Sequence, residues 1–367
     1  LKILWLTNVP SPYRVDFFNE LGKSCDLTVL FEKATSTERD ESWEEHHFIH
    51  FRGVILKGID FDVDKAVSVQ MIRYLNQYKT ETIVVSDLAT PTGIMAIEYM
   101  KLCKIPYLLE GDGGFAGSGS GWKESLKKQI IKGAKAYLST SRSHDEYFLT
   151  YGASKERLYR YPFTSIKEED ILPAVVDQEK KQRLKQKLGI AREKAILTVG
   201  QFIHRKGFDL LLKAAKRIDP NAAIVIIGGE PTERYYDLID RLDLDNVYFV
   251  GYQSKVKLKE YFCMADVFVL PTREDIWGLV INEAMAYGLP VVTTNRCIAG
   301  LELIEDEKNG YIVPVGDRKK LAETINLLLN RDELRESIAN HNLNKIREFT
   351  VERMAERHLE IFEELKR

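Results

Sequence analysis

"TREDIWGLVINEAMAYGLP" (residues 272–290) sets two acids in a stretch that is otherwise largely apolar and punctuated by glycine. Asp275 stands three residues before Gly278, and Glu283 follows Asp275 by eight residues. Apolar residues recur at helical spacing after Gly278, which predicts a helix beginning there. A helix start presents unpaired backbone N–H groups and the positive end of its dipole, and a glycine lets an anion approach the backbone closely. Along a helical path the eight residues cover at most about 12 Å, roughly the reach of a diphosphate with a sugar on each side. Ionised carboxylates are acceptors only, each charged hydrogen bond being worth about 1.5–3 kcal/mol, which suits vicinal diols. The plainer alternatives are an exposed helix acid and an N-terminal cap. Capping accounts for Asp275 but leaves Glu283, beside Ala284, Met285 and Ala286, without a reason.

The flanks of this stretch, "DVFVLP" (266–271) and "PVVTT" (290–294), are short continuous apolar runs of the kind that form strands buried on both faces. Similar runs precede them: "AILTVG" (195–200), "AAIVIIG" (222–228) and "NVYFV" (246–250). The first half carries "KILWLT" (2–7), "DLTVLF" (26–31), "TIVVS" (82–86), "PYLLE" (106–110) and "AYLST" (136–140), with helical stretches such as 93–103 between them. Strands alternating with helices predict α/β architecture, a parallel sheet in each half, and ligands at the carboxyl ends of the strands. Residues 165–194 interrupt the alternation with charge and read as a linker followed by a surface helix. Two doubly wound, Rossmann-like domains facing a central ligand cleft are therefore expected.

Composition bounds the function. A chain of 367 residues is long for one core, and 44% hydrophobic with 29% charged residues is the make-up of a globular protein. A net charge of -2 gives no global attraction to nucleic acid, and none is expected as a partner. Cys25, Cys103, Cys263 and Cys297 are widely spaced, which reads as reduced thiols in a cytoplasmic protein. "LKILWLT" reads as a buried first strand, and no apolar run approaches the roughly 18 residues of a membrane span.

"GQFIHRKGFDLLLKAA" (200–215) places His204, Arg205 and Lys206 in a loop after a strand, before Gly207 and a helix starting near Asp209. Cations at the carboxyl edge of a parallel strand suit a phosphate or diphosphate, Arg as a planar fork and Lys as a point charge. A solvated basic loop is the alternative. With "YFCMADVFVLPTREDIWGLVINEAMAYGLPVVTT" and "NGYIVPVGD", this segment resembles the carboxyl-terminal domain of retaining glycosyltransferases of family 4, which have the GT-B fold. The resemblance is strongest over residues 195–320 and chiefly architectural over the first 160. It implies an acceptor-binding domain at 1–165 joined by a returning helix at 349–367, and a nucleotide-sugar domain at 166–348. It places the family's Glu-x7-Glu pair on Asp275 and Glu283, with Glu274 as an alternative first acid, and its diphosphate-binding Arg and Lys on Gln201 and Lys206. Arg205 then compensates for Gln201, and Ile276, Trp277, Gly278 and Leu279 complete the donor site. Gly111-Asp112 stands where the family often has a His-Asp pair, which makes Asp112 the candidate to orient the donor sugar or polarise the acceptor hydroxyl. A turn role in a flexible loop is its alternative. "NVPSPYR" (8–14) replaces the family's Gly-Gly loop.

The expected activity is transfer of a sugar, with retention and without a metal or other cofactor, to a glycan or lipid-linked glycan in surface polysaccharide assembly. A UDP-sugar is the favoured donor and a GDP-sugar the second choice. Asp112, Asp275, Arg205 and Lys206 are the expected catalytic residues. A non-catalytic GT-B partner subunit and a GT-B phosphorylase or sugar-nucleotide epimerase are the competing classes. Asp-x-Asp triplets at 60–62, 62–64 and 243–245 are too short a signal for a metal site, and "GIDFDVDKA" (58–66) reads as a polar loop. His46, His47 and His50 fit strand alternation at least as well as metal ligation. Residues 121–138, with Trp122, Lys123, Lys127, Lys128, Lys132 and Lys135 around Leu126, Ile130 and Ile131, suit peripheral contact with the inner membrane face, against a core-packed helix with a solvated basic side.

Overall fold

The computed structural model describes residues 1–34, 47–62, 65–86, 88–117, 119 and 121–366. The chain divides into two compact units, Leu1–Ser165 with Phe349–Arg367 and Ile166–Glu348. The strands of the first unit are β1 (Lys2–Thr7), β2 (Asp26–Phe31), β3 (Arg52–Ile55), β4 (Ile59–Asp62), β5 (Lys65–Val67), β6 (Thr82–Val85), β7 (Leu108–Glu110), β8 (Ala136–Ser139) and β9 (Leu158–Arg160). Seven of them form a parallel sheet in the order β3-β2-β1-β6-β7-β8-β9, and β4 and β5 pair antiparallel apart from it. That hairpin occupies most of the stretch the sequence suggested as a polar loop.

The second unit holds β10 (Lys194–Val199), β11 (Ala222–Ile227), β12 (Val247–Val250), β13 (Val267–Leu270), β14 (Val291–Thr294) and β15 (Gly310–Val313). They form a parallel sheet in the order β12-β11-β10-β13-β14-β15. In each unit the strand order reverses beside the first strand, between β1 and β6 and between β10 and β13, and such switch points open a crevice at the carboxyl edge.

Burial explains the apolar runs. Every residue of β11, β13 and β14 is buried, and the core of the second unit gathers Ile224, Val269 and Val292 against Leu211, Leu212, Ile325 and Leu328 of the flanking helices. Residues 166–194 do not behave as a linker. Ile166, Ile171, Val176 and Ile190 are buried, and so are two lysines of the helix Gln178–Lys187. Lys185 Nζ lies 2.8 Å and Lys181 Nζ 3.4 Å from Asp266, which also accepts from the Ala195 N–H at 2.8 Å. This ion cluster clips the helix to the amino edge of the sheet, a contact its charged sequence conceals. The last helix, Val351–Glu364, belongs to the first unit and packs against Pro12–Gly22, with Met354, His358, Ile361 and Phe362 buried.

Candidate functional site

The loops after β10 and β13 meet at the switch point of the second unit. After β10 the chain makes one turn of 3-10 helix, His204–Lys206, and then Gly207 at φ 70°. A Cβ on Gly207 would come 2.1 Å from the Pro271 carbonyl oxygen, so only glycine lets these two loops close. Backbone and side-chain bonds then tie them: Arg273 N–H and Thr272 Oγ1 both donate to the Arg205 carbonyl at 2.8 Å. Arg273 also forks onto Asp209 at 2.8 and 2.9 Å. Burial alone would push the Asp209 carboxyl up, but the bonds from Arg273 and Lys213 hold it well below the usual carboxylate range.

This frame fixes the acids of the quoted stretch. Asp275 is buried; its Oδ1 accepts from Arg205 Nη1 at 3.0 Å and its Oδ2 from Lys206 Nζ at 2.6 Å. Its backbone pairs with Arg296 and Ile298, so the carboxylate is held from both sides. Glu274 instead pairs with Arg296. Gly278, at φ 101°, precedes the helix Leu279–Ala286, which has no side-chain cap. Asp275 therefore does not cap this helix. Trp277 is buried with its indole N–H on Asn282 Oδ1 at 2.9 Å, while Ile276 is half exposed. Glu283 lies in the second turn of the helix, half-buried, and Gln201 follows β10, also half-buried. The structure thus brings Arg205, Lys206 and Asp275 together beside a helix start, with two positive charges to one negative.

Asp112 follows β7, one strand beyond the switch point of the first unit, in a network the sequence reading missed. Arg14, on the helix Pro12–Gly22, is 3% exposed. Its Nη1 donates to both oxygens of Glu110 at 2.9 and 3.0 Å, and its Nη2 pairs with Asp112. Tyr13 donates to Asp112 Oδ2 at 2.9 Å and Tyr161 to Glu110 Oε1 at 2.6 Å. Ser86 bonds Glu110 and in turn accepts from the Trp5 indole at 2.5 Å. Burial would raise the Glu110 carboxyl, but Arg14 and its bonds win and it is lowered. The signal was present: Arg14, Phe17, Phe18 and Leu21 share the i, i+3, i+4, i+7 stripe, so Arg14 occupies a core position.

Among the described residues no group of three or more His, Cys, Asp or Glu is arranged to hold a metal ion, and His46 lies outside them. No helix of the described residues is long and apolar enough to cross a membrane. The basic stretch forms a helix over Trp122–Ile131, with Trp122 72% exposed and Ile130 and Ile131 buried.

Comparisons with known proteins bear on the fold and on the second unit. Residues 180–345 match the family model for glycosyl transferases group 1. The chain is 24% identical, over 95% of its length and 98% of the relative's, to N,N'-diacetylbacillosaminyl-diphospho-undecaprenol alpha-1,3-N-acetylgalactosaminyltransferase of Campylobacter jejuni. It is 32% identical to an uncharacterized glycosyltransferase of Haemophilus influenzae over 179 residues, 47% of this chain and 50% of that protein. Among solved structures, Anabaena HepE in complex with UDP superposes with a TM-score of 0.80 at 16% identity, covering 99% of this chain and 100% of that one. The chain has the GT-B fold of two Rossmann-like domains, and its second domain is related to glycosyl transferases group 1.

Proposed function

We propose that this protein is a retaining, metal-independent glycosyltransferase that moves a sugar from a UDP-sugar to a glycan or lipid-linked glycan in surface polysaccharide assembly. The observation that carries the reading is the convergence of Arg205 and Lys206 on Asp275 beside the uncapped helix start at Gly278. The triad has a net charge of +1, and the helix adds free N–H groups and its dipole, a combination that favours a diphosphate. Glu283 accepts the ribose hydroxyls and Asp275 or Glu274 those of the donor sugar, with Gln201, Ile276, Trp277 and Leu279 lining the site.

In the reaction the bond from the sugar's anomeric carbon to the diphosphate breaks as a bond to the acceptor oxygen forms on the same face. The acceptor's proton passes to the leaving phosphate. Arg205, Lys206 and the helix N–H groups stabilise the charge growing on that phosphate, so neither a metal nor a side-chain nucleophile is needed. Asp112 receives the acceptor hydroxyl. A lipid-diphosphate acceptor is supported by the name of the Campylobacter relative, and a uridine donor by the complex of the Anabaena protein. Such an acceptor places the enzyme at the cytoplasmic membrane face, reached through Trp122 and its lysines.

The test is the thermal midpoint with UDP, GDP, dTDP or ADP in excess EDTA. UDP at about 100 times its Kd stabilises by about 2.7 kcal/mol, and the other nucleotides stabilise less. No shift with any nucleotide contradicts the proposal and favours a non-catalytic subunit.

A further inference from the structure

The buried network behind Asp112 needs an explanation beyond folding. Burying ions is costly, and well-packed apolar side chains of similar volume usually serve stability as well or better. Arg14 and Glu110 are nonetheless 3% and 0% exposed, and Glu110 receives bonds from Arg14, Tyr161 and Ser86. The Arg14 guanidinium faces two carboxylates, Glu110 and Asp112. The Glu110 side chain has no exposure, whereas that of Asp112 is 29% exposed, so Asp112 is the carboxylate that solvent reaches. The lysines on Asp266 in the other unit make a useful contrast. There the side chains are at most 9% exposed, and the cluster lies at the amino edge of the sheet, away from the ligand edge.

We infer that Arg14, anchored by Glu110, is a positioning residue that fixes Asp112 to accept a carbohydrate hydroxyl at the carboxyl edge of the first unit's sheet, with Tyr13 as the second clamp. The inference rests on the glycosyltransferase reading. Arg14 holds one carboxylate oxygen and Tyr13 the other, which sets both the place and the rotation of the group. Gly111, Gly113 and Gly114 flank it without side chains. The clamp keeps the carboxylate aligned before the sugar arrives, so binding does not have to order it. Arg14 acts through Asp112 and touches no substrate.

The experiment compares Arg14→Met, the double variant Arg14→Met/Glu110→Gln, and Tyr13→Phe, each with and without Asp112→Asn. Arg14→Met strands two carboxylates and is expected to be unstable. The double variant removes the stranded buried charge and regains the midpoint. UDP release is measured from UDP-glucose, UDP-galactose and their N-acetylated counterparts, with a polyprenyl-diphosphate-linked N-acetylhexosamine as acceptor. The double variant is expected to keep the UDP-induced rise in midpoint and the donor KM, yet lose about 10- to 100-fold in kcat/KM for the acceptor. Asp112→Asn should cost about as much in the wild type and under about threefold in the double variant, because the clamp is already gone. Tyr13→Phe removes only a hydroxyl and should lose about 3- to 10-fold without instability.

Recovery of wild-type transfer in the double variant overturns the inference and leaves a purely structural network. An equal loss from Asp112→Asn in both backgrounds overturns it too, as does full activity of Tyr13→Phe for the second clamp. A wild type that neither binds UDP nor releases it from any donor overturns the glycosyltransferase reading, and the inference with it.

Discussion

Replacing Gly278 with alanine tests how the candidate site is built. Gly278 has φ 101° and ψ 58°, outside the regions an L side chain adopts readily, and holding alanine there costs about 1–3 kcal/mol. The new Cβ would also lie 2.8 Å from Cys297 Sγ and 3.4 Å from Leu270 Cδ2. Both neighbours are fully buried, so relief requires moving the core, at about 1–3 kcal/mol. The sum is about 2–6 kcal/mol, or roughly 5–20 °C in the transition of the second unit. Burial, with the Asp275 charge, pushes the Cys297 thiol up to about 12, so it is a neutral group near pH 7 and the penalty is steric. Scanning calorimetry of Gly278→Ala in wild-type and Cys297→Ala backgrounds separates the two parts. Removing the sulfur should leave only the backbone strain, about 1–3 kcal/mol. A loss below about 0.5 kcal/mol, the range of an ordinary surface change, would refute the reasoning. An equal penalty in both backgrounds would refute the steric half.

Glu283→Ala and Asp275→Asn weaken UDP-sugar turnover by about 10- to 100-fold through lost charged hydrogen bonds, read in kcat/KM for the donor, and Asp275→Asn also lowers the thermal midpoint because it unpairs Arg205 and Lys206. Burial lowers both His144 and His358 from 6.5 to about 4, each opposed by Glu110. The unfolded chain then binds more protons between pH 4 and 6.5, so stability is complete above that window and is lost as pH falls through it, by up to about 3 kcal/mol per histidine. His358→Phe should flatten the acid limb of the midpoint-against-pH curve; an unchanged limb contradicts the assignment. Sedimentation with anionic vesicles tests the helix Trp122–Ile131. Trp122→Ala, or Lys123→Gln/Lys128→Gln/Lys132→Gln at about 1 kcal/mol per lysine, should release the protein, and equal binding by all forms argues against membrane contact.

The inner strands were legible because both faces are covered. "KILWLT" and "DLTVLF" coincide with β1 and β2, and the runs of the second half fall on β10 to β14 within a residue or two. The strands missed were the hairpin β4–β5, read as a polar loop, and β3, β9 and β15 at the sheet edges, where exposed Arg52 and half-buried Tyr159 and Tyr311 interrupt the aliphatic run. The helix start at Gly278 could be read from one glycine in an apolar stretch, as could the basic loop after β10. The pairing of Arg205 and Lys206 with Asp275 could not, since it joins residues about seventy positions apart. Long-range ion pairs also hid the burial of Lys181 and Lys185, whose partner Asp266 is more than eighty residues away. Arg14 is a different case. Its place in an apolar stripe was visible, but the acids that permit its burial, Glu110 and Asp112, lie about a hundred positions along the chain.

The central claim is that Arg205, Lys206 and the helix start at Gly278 receive a nucleotide diphosphate without a metal. Calorimetric titration of UDP into the wild type and Lys206→Ala, both in EDTA, tests it most directly. One saturable site is expected in the wild type, and binding weaker by about 10-fold or more in the variant. No heat of binding in the wild type, or equal affinity in both proteins, would contradict it.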